Sequence, residues 1–166
     1  IQDGTSWLQV NKASVSGSGD NYSTFTGRSN DARTSQGQTS FALFEGTTDY
    51  GEVLICDVAN KPFFFKMTGT GALADRTFFA GEITVDSTTA PTVGAIHENH
   101  FVVGGAPTAK NTVYYSSSLD PDSFSGSGAG SIQLTDAVVG LASFRSDLII
   151  FCKNSIFKLI NISDSS

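Results

Sequence analysis

Val93-Gly94-Ala95-Ile96, Phe101-Val102-Val103 and Asn111-Thr112-Val113-Tyr114 are echoed downstream by Val139-Gly140-Leu141-Ala142, Leu148-Ile149-Ile150 and Asn154-Ser155-Ile156-Phe157. The copies stand 46 residues apart at Gly94 and Gly140, and 47 apart at Phe101 and Leu148. A third copy lies upstream: Val53-Leu54-Ile55 precedes Phe101-Val102-Val103 by 48 residues, and Asn60 stands before its aromatic run as Asn111 and Asn154 do before theirs. A repeat of about 40 to 50 residues made of short strands has the period of a β-propeller blade. Each such unit carries an apolar face that only a neighbouring unit can cover, so the units must stack.

Working outward, helix signals are nearly absent. No stretch places apolar residues at i, i+3, i+4 and i+7 for long, and Gly, Ser and Thr interrupt the chain every few residues. Val, Ile, Phe and Tyr supply most of the large apolar side chains, which suit a pleated, half-buried surface. The chain is therefore predicted to be all-β, a propeller-like repeat of antiparallel blades. Strands are expected at Trp7 to Val10, Ser40 to Phe44, Glu52 to Asp57, Pro62 to Met67, Thr77 to Ala80, Glu82 to Val85 and Thr92 to Ile96. Further strands are expected at Phe101 to Val103, Val113 to Ser116, Ser131 to Leu134, Val138 to Ala142, Leu148 to Cys152 and Ile156 to Ile160. Tyr22 and Phe25 mark a further short one between two polar loops. Pro62 belongs at a strand start or a sheet edge, since it cannot donate to a ladder.

Residues 1–49 read as an irregular β segment, a partial blade, and residues 50–166 as two to three blade repeats. The 166 residues hold roughly 3.6 units, whereas propellers close with about four to eight blades. An incomplete ring, or an internal piece of a larger protein, is expected; the absence of an initial methionine also fits a processed N-terminus.

The formal net charge is −6 with ten basic residues, too few and too scattered for a groove that displaces counterions from phosphates. No apolar run approaches the about 20 residues of a spanning helix, and no signal peptide is visible. Cys56 and Cys152 each follow a strongly apolar run, which suits a buried hydrophobe better than a reactive thiol. They occupy comparable places in different units, so no disulfide between them is expected.

Several motifs invite chemistry. His97-Glu98-Asn99-His100 brackets Glu with histidines, but zinc helices need them at i and i+4, and on a strand their odd spacing sends them to opposite faces. A solvated hairpin turn is the preferred reading. Asp120-Pro121-Asp122-Ser123 resembles the start of a calcium loop, yet Phe124 follows and Ser131 stands where a bidentate Glu belongs, so a turn is preferred. Ser125 to Ser131 is Gly-rich but precedes no helix and lacks the Lys of a P-loop, which favours a surface loop. Arg28, Arg33, Arg76 and Arg145 fall at unrelated repeat positions, unlike a carboxylate-binding cluster around a channel. Asn21 and Asn161 match the glycosylation acceptor pattern, which is common by chance. No catalytic, cofactor-binding or metal-binding residue is assigned, and no cofactor is expected.

The run from Pro91 to Leu159 resembles the propeller-type structural proteins of bacteriophage tails, especially nozzle or hub proteins at the distal tail. The features that carry the resemblance are His97 to Gly105, Asn111 to Ser116, Leu119 to Phe124, the Gly-rich loop into Ser131-Ile132, and Phe144 to Phe157. It covers about the last 115 residues in repeat terms and fades before Tyr50. It implies a non-enzymatic virion component, located in the phage tail, that binds neighbouring tail proteins and assembles as a homo-oligomeric ring, with no sequence-specific nucleic acid or membrane partner. An acidic surface would also let DNA pass a channel without sticking; neutralising surface acids should then alter DNA ejection. Two rivals stand beside this reading. A carbohydrate-binding propeller would present exposed aromatics such as Trp7 and Tyr22, and a propeller glycosidase would use acids such as Asp120 and Asp122.

Overall fold

A computed structural model describes residues 2–3, 6–7, 39–44, 52–57, 60–68, 77–86 and 90–162, and over these the chain is all-β and antiparallel, with no helix. A small antiparallel ladder pairs β1 (Gln2–Asp3) with β2 (Ser6–Trp7). The first large sheet is a meander of β3 (Thr39–Phe44), β4 (Glu52–Asp57), β5 (Asn60–Thr68) and β6 (Thr77–Glu82). The second runs through β7 (Val93–His97), β8 (His100–Ala106), β9 (Ala109–Tyr115) and β10 (Gly130–Gln133). The third contains β11 (Val138–Phe144), β12 (Asp147–Cys152) and β13 (Ile156–Leu159). The second strand of each sheet starts at residue 52, 100 or 147, steps of 48 and 47, so the sequence repeat is a repeat of sheets. β3 pairs with β4 along its whole length, which makes Thr39–Phe44 part of the first large sheet.

The sheets stack face to face. Ala42, Phe44, Leu54, Cys56 and Phe64 of the first sheet meet Phe101 and Val103 of the second in one core cluster. Val93, Val102, Val113 and Tyr115, on the other face of the second sheet, meet Val138, Leu148, Ile150 and Cys152 of the third. Neighbours on β8 thus point into different cores, which is why Phe101-Val102-Val103 is a continuous apolar run with no polar alternation. Burying each such side chain contributes about 1.5–3 kcal/mol. β13 has one face uncovered and alternates exposed with half-buried residues. Ser40 ties the first two sheets across their core: its hydroxyl accepts from Gly94 N–H at 3.0 Å and donates to the Thr92 carbonyl at 3.4 Å.

Three expectations need correction. Thr77 to Ala80 and Glu82 to Val85 are not two strands: β6 runs unbroken to Glu82 because Phe63, Phe64 and Phe65 pair with Glu82, Gly81 and Ala80. Pro62 lies inside a central strand, tolerated because the β4–β5 register shifts beside it, between Ile55 and Asp57. Asn111 does not precede its strand but sits within β9, where its amide donates to the Leu134 carbonyl at 2.8 Å. The cysteines are as expected: Cys56 and Cys152 are free and buried, and they approach the middle sheet from opposite sides, in different clusters. Tyr22 and Phe25, and the part of the Trp7 to Val10 strand beyond Trp7, lie outside the described residues.

Candidate functional site

The polar groups that the fold gathers most closely lie at the β7–β8 turn. Glu98 and Asn99 take left-handed conformations, with φ of 47° and 65°, the geometry of a two-residue hairpin whose twist matches its strands. Such a turn makes His97 and His100 direct cross-strand partners. Both side chains therefore share one face, contrary to the expectation from odd spacing, because the chain reverses between them. Nor is the turn solvated throughout: only Glu98 and Asn99 are exposed, while His97 and His100 are 2% and 3% exposed.

His97 Nδ1 is 2.9 Å from the Ser143 hydroxyl of β11, a contact between sheets. Its Nε2 is buried without a hydrogen-bond partner. Burial is the largest influence on the imidazole and lowers its pKa, against the pull of Glu98 and Asp147. His100 Nδ1 lies 2.5 Å from the Ser116 carbonyl, so that nitrogen carries the proton and donates. The edge of the His100–Tyr115 ring pair, with centroids 5.9 Å apart, completes its surroundings. Ser116, fully buried, accepts from Phe101 N–H through its hydroxyl at 2.9 Å and so fixes the start of the β9–β10 loop.

That loop is folded onto the same end. Leu119 N–H donates to the Asn99 carbonyl at 2.9 Å, Ser117 N–H to the Ser123 carbonyl at 2.8 Å, and Ser123 N–H to the Asp120 carbonyl at 3.2 Å. Pro121 is buried, and Phe124 meets Phe101 edge to face at 6.1 Å. Asp120 and Asp122 thus belong to a packed turn. Among the described residues no group of three or more His, Cys, Asp and Glu could hold a metal ion. Ser125 to Gly128 are exposed, and Gly130 and Ser131 already belong to β10.

Chemically, Ser143 and His97 stand as a hydroxyl beside an imidazole. An activated serine also needs its base oriented by a third group, and here the second ring nitrogen has none. The pair was not legible in sequence, because 46 residues separate its members and no local motif marks Ser143. Asp136 was missed for the same reason. It accepts from Ala137 N–H at 2.8 Å, Asn154 N–H at 2.7 Å and the Ser155 hydroxyl at 2.9 Å, locking the β12–β13 turn against the loop before β11. These bonds, the Asn154 N–H first, hold its carboxyl below the usual range.

Arg145, in a left-handed conformation at the β11–β12 turn, lies 5.4 Å over the Phe144 ring. Arg28, Arg33, Arg76, Asn21, Tyr22 and the Trp7 side chain are outside the described residues. Asn161 is exposed. No protein family, no curated protein and no solved structure matches this chain.

Proposed function

We propose that the chain is a non-enzymatic structural protein of a bacteriophage tail, in its nozzle, hub or connector region, whose sheets are propeller blades serving as a rigid platform for neighbouring tail proteins. The observation that supports this most is how the successive meanders approach one another. Among the described residues the closest approaches between large sheets involve a first strand: β7 lies against β3 and β4, and β11 against β7, β8 and β9. Sheets that touch mainly through their first strands fan out from a common line, as blades do around an axis. The polar groups at the β7–β8 turn fit the same reading, since His97 bonds to Ser143 of the next sheet while His100 and Ser116 hold their own sheet together.

Immunogold labelling of particles purified from the culture that produces the chain tests the assignment. Label at one end of the tail is expected. Particles without label, with all of the protein in the soluble fraction, would overturn it.

A further inference from the structure

The β7–β8 turn grips the third large sheet at two places. His97 Nδ1 meets the Ser143 hydroxyl of β11 at 2.9 Å, and the Glu98 carboxylate accepts from Ile162 N–H, beyond β13, at 3.2 Å. Two neighbouring residues of one sheet thus hold the first strand of the next and the stretch after its last. Glu98 is exposed, whereas His97 is buried and its Nε2 has no partner. A neutral imidazole has one donor and one acceptor nitrogen, and a protonated one has two donors. Whichever tautomer meets Ser143, protonation makes Nε2 a cationic donor with no acceptor in the closed junction, which burial penalises heavily. The titratable and charged groups around the ring are Glu98 and His100 of its own hairpin and Asp147 at the β11–β12 turn, the last already paired with Lys158 of β13. Arg145 stands at that same turn, Tyr115 of β9 meets His100, and Asp120 lies on the exposed loop that Leu119 ties to Asn99. Glu98 and Asp147 draw a proton toward the ring, His100 repels it, and burial outweighs the attraction.

We propose that His97 is an acid-operated latch on the junction between the second and third large sheets: on taking up a proton the ring leaves its buried seat for water and gives up Ser143, and the third sheet loosens while the first two stay packed. The proton is accommodated only where Nε2 reaches water or an acceptor, and the ring is held between two sheets, so parting them is what hydrates it. Acid acts differently at the first junction. Its buried titratable group is Glu52, which pairs across the ladder with Phe44 of that core, and a carboxyl loses charge in acid where His97 gains it.

Thiol labelling of the full chain tests this, with an aromatic disulfide reagent that reacts in acid and with each rate divided by that of the same cysteine in the urea-unfolded chain at the same pH. Cys152 lies in the core of the second junction and Cys56 in that of the first. Cys152 is expected to lose protection by up to about tenfold per pH unit below 6.5, because its opening takes up one proton, while Cys56 changes little. His97→Gln is expected to abolish that slope. Ser143→Ala, which leaves the imidazole in place, is expected to speed labelling of Cys152 at neutral pH and to keep the slope. A flat Cys152 profile overturns the latch, as does equal loss at both cysteines or a slope that persists in His97→Gln. Should that variant fail to fold, both its cysteines label at unfolded rates, and the parent chain decides. Its two histidines give two imidazole proton signals by NMR, and a His97 signal that titrates without loss of Cys152 protection overturns the proposal.

Discussion

His97 joins two sheets through one ring nitrogen and leaves the other buried without a partner. A proton on Nε2 would sit in a poorly solvated space, and this desolvation, reinforced by His100 and opposed by Glu98 and Asp147, lowers the folded pKa below 6.5. The unfolded chain then binds the proton more readily than the folded one. Stability is therefore full above the unfolded value and is lost as pH falls through it toward the folded value. The urea midpoint should drop between about pH 7.5 and about pH 5, and His97→Gln should flatten that drop; parallel slopes would assign the titration to another group. Asp136 differs in that its surroundings favour its charged form, although its contribution too is lost in acid. Its carboxyl is held below its ordinary 3.8 by hydrogen bonds, so its contribution is present above 3.8 and lost as pH falls through the folded value. Asp136→Ala should lower the melting temperature at neutral pH, and the gap between variant and parent should narrow in acid; a gap unchanged in acid would mean that the carboxylate charge plays no part.

At the scale of elements, the first two sheets approach closely where β7 passes β3 and β4, and Gly94 makes this passage possible. A Cβ there would stand 2.7 Å from the Phe101 ring and 3.0 Å from Cys56 Sγ. Gly94→Val should cost about 1–3 kcal/mol in urea denaturation, because buried neighbours must move. Gly140, its counterpart in the repeat, has no atom nearer than 3.6 Å to such a Cβ, so Gly140→Ala should be close to neutral. The contrast shows how far the sequence was legible. Apolar runs such as Leu148 to Cys152 located the strands, and their spacing located the sheets. The change of offset, from 46 residues at Gly94 to 47 at Phe101, also carried information. In the structure the extra residue lies between the glycine and its turn, since Gly94 stands three residues before His97 and Gly140 four before Phe144, the last strand positions before two-residue turns, and a one-residue slip moves a side chain to the other face. Gly94 accordingly pairs with Val103, which packs toward the first sheet, whereas Gly140 pairs with Phe151 on the exposed side. What spacing could not show were contacts between distant loops and strands, such as Asp136 with Asn154 or His97 with Ser143, which exist only once the sheets have stacked.

Over the whole molecule, each large sheet touches mainly its neighbours in sequence, so stability is expected to divide by junction, as in other stacked repeats. The two cysteines report on this division, since Cys56 is buried between the first and second large sheets and Cys152 between the second and third. Burial pushes the Cys56 thiol up to about 12 and raises Cys152 as well, so neither reacts readily until its junction opens. Phe101 and Val102 are adjacent on β8 yet face different junctions. Phe101→Leu and Val102→Ala should each cost about 1–3 kcal/mol through loss of buried volume. If the junctions open separately, Phe101→Leu accelerates labelling of Cys56 more than of Cys152, and Val102→Ala does the reverse; mass spectrometry of peptides from a timed thiol reaction reads both sites at once. Equal acceleration of both cysteines by either substitution would instead show that the large sheets open as one cooperative unit.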